Sequence, residues 1–95
     1  MQYRDNYKYA YISTATTTQV ATGQGQLIRI IVGETSAGAI SIIDGISGST
    51  VNLGSLKASI TEGTYDFNVN YATGLRIITA GASKITVVYS PIGAL

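Results

Sequence analysis

The sequence predicts an all-β protein: a single-domain β-sandwich of jelly-roll or Ig-like type, with about eight short antiparallel strands. Apolar and polar residues alternate with a period of two along most of the chain. Residue pairs that favour turns, such as Asp44-Gly45, Glu62-Gly63 and Thr73-Gly74, separate the alternating segments. The length of 95 residues suits one hydrophobic core, because two domains would each be too small.

The chain begins with a tyrosine-rich segment, MQYRDNYKYAYI. We expect residues 1–12 to form either a docking arm or the first strand, and residues 13–95 to form the β-sandwich. As a strand, YAYIST would place Tyr9 and Tyr11 on one face and Ala10 and Ile12 on the other.

The second predicted strand, TTTQVA, leads into Gly23-Gln24-Gly25. A dinucleotide-binding loop would need a third glycine where this chain has Ile28, followed by a helix. A P-loop would need Gly-Lys-Ser/Thr, which is absent from the sequence. The glycines therefore indicate a bend between two strands.

The third predicted strand, QLIRIIVG, is apolar on both faces. One face carries Ile28, Ile30 and Val32, and the other carries Leu27, Arg29 and Ile31. This pattern is typical of a central strand.

Five segments follow. AISIID is a predicted strand, and residues 47–56 form either a loop or a short strand around STVNLG. TYDFNVNY shows the clearest alternation, with Tyr65, Phe67, Val69 and Tyr71 on one face. LRIITA and KITVVYS complete the set, the last with Ile85, Val87 and Tyr89 on one face.

The composition excludes most catalytic chemistry. Histidine and cysteine are both absent, which removes the commonest general base and the thiolate metal ligand. The acidic residues are Asp5, Glu34, Asp44, Glu62 and Asp66. None of them is paired with another at i, i+2 on one strand face, and no Gly-x-Ser-x-Gly nucleophile motif is present. We predict that the protein is not an enzyme and has no catalytic residue, cofactor or metal site.

The charge pattern argues against two classes of partner. A net charge of +1 gives no long-range attraction for nucleic acid or an anionic membrane, so neither is expected as a partner. A single-strand nucleic-acid binder would rest on Arg29 and Arg76, which are too few. The charged content of 12% is well below the ~25% of an average domain, which favours a surface covered in part by other subunits. No segment has the pattern of a signal peptide or of a membrane helix.

Three segments together, TTTQVATGQGQLIRIIV, TEGTYDFNVNYATGL and ITAGASKITVVY, resemble small all-β virion structural proteins of tailed bacteriophages. The resemblance covers residues 15–89 and is one of strand pattern: a Thr-rich strand, a glycine bend, an aliphatic strand and a terminal Ile-Thr-Val-Val-Tyr strand.

The resemblance implies a capsid decoration or cement protein that binds the outside of the major capsid lattice and stabilises it. Its partners would be the major capsid protein and itself, as a dimer or trimer. It would reside in the virion after synthesis in the host cytoplasm. The alternative is a tail or fibre-associated module that recognises a host surface glycan or protein. We expect Tyr3, Arg4, Tyr7 and Tyr9 to form the protein interface, because tyrosine offers large contact area at low entropic cost.

Overall fold

The computed structural model describes residues 7–48 and 51–91. This part of the chain contains eight strands and no helix. The strands are β1 (Lys8–Ile12), β2 (Thr17–Thr22), β3 (Gly25–Glu34), β4 (Ile40–Asp44), β5 (Val51–Leu56), β6 (Gly63–Tyr71), β7 (Gly74–Thr79) and β8 (Lys84–Pro91). Within these residues, no helix long and apolar enough to span a membrane is found.

The strands form two antiparallel sheets of four strands each. The first sheet, sheet A, has the order β1-β8-β3-β6, and sheet B has the order β2-β7-β4-β5. Strand β1 pairs with β8, β2 with β7, β3 with β6, and β4 with β5. This nested pairing is the jelly-roll arrangement of a double Greek key. The predicted eight-stranded β-sandwich is therefore confirmed.

The core lies between the two sheets and is made almost entirely of aliphatic side chains. It contains Ile12, Leu27, Ile30, Val32, Ile40, Ile42, Leu56, Tyr71, Leu75, Ile77, Ile85 and Val87. The predicted inward face of β6 is confirmed, because Tyr65, Phe67 and Val69 pack against this cluster and Tyr71 belongs to it. The inward face of β8 is confirmed in the same way.

The predicted faces of β3 are wrong at its first half. Leu27 is in the core with Ile30 and Val32, whereas Ile28 is buried outside the core cluster. The cause is a β-bulge: Leu27 pairs with Tyr89 and Arg29 with Val88, so Ile28 is an extra residue relative to β8. A bulge exchanges the two faces of a strand, and strict alternation cannot reveal it.

The loops show what the glycine and polar residues do. Gly23 has a φ of +85° and donates its N–H to the Thr73 carbonyl at 2.8 Å, which confirms the bend between β2 and β3. Within the segment predicted as a loop or a short strand, residues 51–56 are a strand, β5. At the other end of the sandwich, the buried Thr79 hydroxyl bonds the Thr14 carbonyl at 2.6 Å and so ties the β1–β2 connection to β7.

Candidate interaction surface

The outer face of sheet A carries an exposed apolar surface. Tyr9 and Tyr11 are 74% and 60% exposed on β1, and Ile31 is 36% exposed on β3. The register places Tyr11 and Ile31 on either side of Thr86, and Tyr9 opposite Val88. We call these five residues, Tyr9, Tyr11, Ile31, Thr86 and Val88, the tyrosine face. Single exposed apolar residues are ordinary, but a contiguous set across three strands is typical of a contact surface.

A groove of about 530 Å³ opens at one end of this face. It is lined by Tyr11, Ile31, Gly33, Glu34, Glu62, Lys84 and Thr86. The β-strand periodicity directs Tyr11, Ile31 and Thr86 outward, and the loop before β6 brings Glu62 to the same place. The lining of the groove therefore combines apolar groups with charged groups.

One ion pair lies in the groove. Lys84 Nζ is 2.8 Å from Glu34 Oε1, and the two residues are paired across β8 and β3. The hydrogen bond and the charge of Lys84 lower the pKa of Glu34, and the same contacts raise the pKa of Lys84. Both groups are exposed, so the pair adds little to stability.

Glu62 is the second carboxylate of the groove. Its Oε2 accepts a hydrogen bond from the Thr35 N–H at 3.2 Å. Within residues 7–48 and 51–91, no lysine or arginine forms a salt bridge with it. Glu62 thus supplies a negative charge that the described part of the protein does not neutralise.

The other described carboxylates have structural roles. Asp66 pairs with Arg29 at 3.3 Å across β6 and β3. Asp44 accepts hydrogen bonds from the N–H groups of residues 72–74 at 2.9–3.4 Å. Desolvation would raise the pKa of Asp44, but these hydrogen bonds together outweigh it and lower that pKa. In the described ranges no three potential ligands cluster as a metal site.

The predicted interface residues fall partly in this region. Tyr3 and Arg4 lie outside the described residues, and Tyr7 and Tyr9 are exposed. The interface role of all four stays a prediction. The alternation in β1 places Tyr11 on the same strand face as Tyr9, and this shared face is part of the tyrosine face. At Glu62-Gly63 the sequence indicates only a turn, because the proximity of Glu62 to Glu34 depends on the fold.

Among the solved structures similar to this chain are two nucleoplasmin-like cores. One is the Drosophila NLP core, described as giving insight into pentamer formation and histone binding, with a TM-score of 0.58 and 16% identity over 90% of this chain and 94% of that chain. Another is the nucleoplasmin-like N-terminal domain of Drosophila FKBP39, with a TM-score of 0.57 and 6% identity over 90% of this chain and 88% of that chain. The TM-scores show a shared fold, and at these identities the likeness extends to the fold alone. No protein-family model and no curated protein sequence matches the chain.

These comparisons correct the functional prediction. A bacteriophage capsid decoration protein and a tail or fibre module are both wrong, because the neighbours are nucleoplasmin-like cores and not phage structural proteins. The predicted major capsid protein partner, the dimer or trimer and the virion location are overturned with them. The error has a physical origin: Thr-rich alternation with glycine turns specifies a small β-sandwich and carries no information about its partner. The prediction that the chain is not an enzyme agrees with these neighbours, which are nucleoplasmin-like cores.

Proposed function

We propose that this chain is a nucleoplasmin-like core domain that assembles into a pentamer and binds histones. The observation that carries the proposal is a fold shared over 90% of the chain with a protein described by pentamer formation and histone binding. The low charged content supports self-association, because a surface with few charges loses little hydration when another subunit covers it.

For the subunit contact we propose the part of sheet A at strand β1. This strand is at the edge of its sheet, so one side of its backbone is available for pairing with another chain. Tyr7 and Tyr9 are exposed there, and the predicted interface residues Tyr3 and Arg4 precede them. A pentameric ring uses heterologous contacts, in which this surface meets a different surface of the next subunit.

Native mass spectrometry and sedimentation velocity test the assembly. Five chains of 9.9 kDa give a pentamer of about 50 kDa. We expect Tyr9→Ser to shift the population toward smaller species. The control is Ile46→Ser, which removes an exposed apolar side chain from the β4–β5 loop and should leave the pentamer intact. A wild-type protein that stays monomeric at high micromolar concentration would contradict the proposed assembly.

Histone binding is tested by titration of labelled core histones with the purified protein at several salt concentrations. Because the net charge is +1, the protein as a whole does not attract a basic protein, and binding must come from local contacts. We expect saturable binding with a modest salt dependence. Absence of saturable binding at physiological ionic strength would rule out the histone-binding part of the proposal.

A further inference from the structure

The groove has the composition that a long basic side chain requires. Ile31 and Gly33 line it and offer apolar contact to a methylene stem. The Tyr11 ring also lines it and can attract a cation over its face. Glu34 and Glu62 also line it and provide carboxylate oxygens.

The charged groups that line the groove include one more carboxylate than ammonium groups. Glu34 is held by Lys84 at 2.8 Å, whereas the salt bridges of the described residues leave Glu62 without a cation. The groove thus carries two carboxylates and one ammonium group. An external lysine or arginine would complete the balance, while an acidic or apolar side chain would leave Glu62 uncompensated.

We propose that this groove binds the lysine or arginine side chain of a basic peptide segment. The stem packs on Ile31 and Gly33, and the cationic group contacts Glu62 beside Tyr11. The groove lies on the tyrosine face and shares strand β1, through Tyr11, with the surface assigned to self-association, whereas Tyr7 and Tyr9 do not line it. The identification of this segment as part of a histone rests on the proposed function. The binding of a basic side chain in the groove does not depend on that function.

The test uses a short synthetic peptide rich in lysine and arginine, titrated into the isotope-labelled full-length protein. We expect amide shifts at Gly33, Thr35 and Thr86, and a dissociation constant that rises as salt is added. In E62Q the affinity should fall about two- to five-fold, the range for a partly exposed ion pair. The control is D66N, which changes the net charge equally at a carboxylate that pairs with Arg29 and does not line the groove.

The outcomes distinguish binding in the groove from diffuse charge attraction and from self-association. Equal losses in E62Q and D66N, or shifts elsewhere, would overturn the site in favour of diffuse attraction. A change in the oligomer of E62Q, without loss of peptide binding, would make the groove a subunit contact and would also overturn it. Histone binding that persists unchanged in E62Q refutes the groove but not the proposed function. Peptide binding in the groove of a protein that neither forms pentamers nor binds histones refutes the proposed function but not the groove.

Discussion

Replacing Tyr71 by phenylalanine should stabilise the protein. The Tyr71 side chain is 1% exposed, at the end of β6 against Gly25. Its hydroxyl has no hydrogen-bond partner among the described residues. The ring is part of the core cluster and remains in the variant, so Tyr71→Phe removes only the buried hydroxyl.

The magnitude follows from the cost of burying an unpaired polar group. That cost is about 1–3 kcal/mol, and the substitution should recover most of it because the ring contacts are unchanged. In a domain of this size, 1 kcal/mol corresponds to a rise in Tm of about 4–8 °C. We therefore expect Tyr71→Phe to raise the Tm by at least about 4 °C.

Urea and thermal unfolding at one fixed protein concentration measure the effect, since assembly makes stability depend on concentration. Tyr65→Phe is the matched control, because the Tyr65 hydroxyl donates a hydrogen bond to the Thr61 carbonyl. That variant should be destabilised by up to about 1 kcal/mol. The same change from tyrosine to phenylalanine is thus expected to raise the free energy of unfolding at position 71 and to lower it at position 65.

The pH dependence gives a second signature. Desolvation raises the pKa of Tyr71 above 10.0, with a smaller contribution from Tyr89. Because the folded pKa exceeds the unfolded one, the associated stability is present below pH 10 and is lost as the pH rises through the folded pKa. The advantage of Tyr71→Phe should therefore grow above pH 10. If Tyr71→Phe instead lowered the free energy of unfolding by 1 kcal/mol or more, the hydroxyl would have a partner and the reasoning would be refuted.

Three further substitutions test the turns and the core. Asp44→Ala removes the acceptor of three N–H groups in the β6–β7 turn and should cost about 1–2 kcal/mol in urea unfolding. The pKa of Asp44 in the folded protein is lowered from 3.8, so the stability difference between wild type and Asp44→Ala is present above pH 3.8 and should disappear as the pH falls through the folded pKa. A stability difference that does not depend on pH would contradict this role of the carboxylate. Gly38→Ala would place a Cβ against the backbone of the β7–β8 loop and should cost about 1–3 kcal/mol in thermal unfolding. Gly33→Ala is the control and should be nearly neutral, because the nearest atom to its added Cβ is 3.6 Å away. Equal Tm values for the two variants would contradict the close packing at Gly38. Ile77→Ala should cost about 2–5 kcal/mol in urea unfolding because the side chain is fully buried, and Ile31→Ala much less, so similar losses would contradict the assigned faces.

Local patterning was enough to identify most strands and their inward faces. The alternation in β6, β7 and β8 places Tyr65, Leu75 and Ile85 on the core side, as the structure shows. Turn chemistry at Gly23 likewise predicted a bend and excluded a nucleotide loop. These features depend on residues two to four positions apart, and the period of a strand is a local property.

The candidate site could be predicted only in part. Tyr9 and Tyr11 share an exposed face in both sequence and structure. Glu62 is far in sequence from Glu34, and only the pairing of β3 with β6 and β8 brings both carboxylates to one groove. The alternation of apolar and polar residues along the chain gives no indication that these two carboxylates lie in one groove.

Local sequence patterns are enough to assign the class of the protein: an all-β chain with a single core, turns at glycines such as Gly23 and Gly45, and neither histidine nor cysteine. The strand order, the bulge at Ile28 that moves Leu27 into the core, and the groove beside Tyr11 become visible only in the folded chain. The division has one physical reason. Strand formation and side-chain alternation are set by neighbours along the chain, whereas pairing register is set by contacts between distant segments, whose free energy depends on the packing of the whole sandwich.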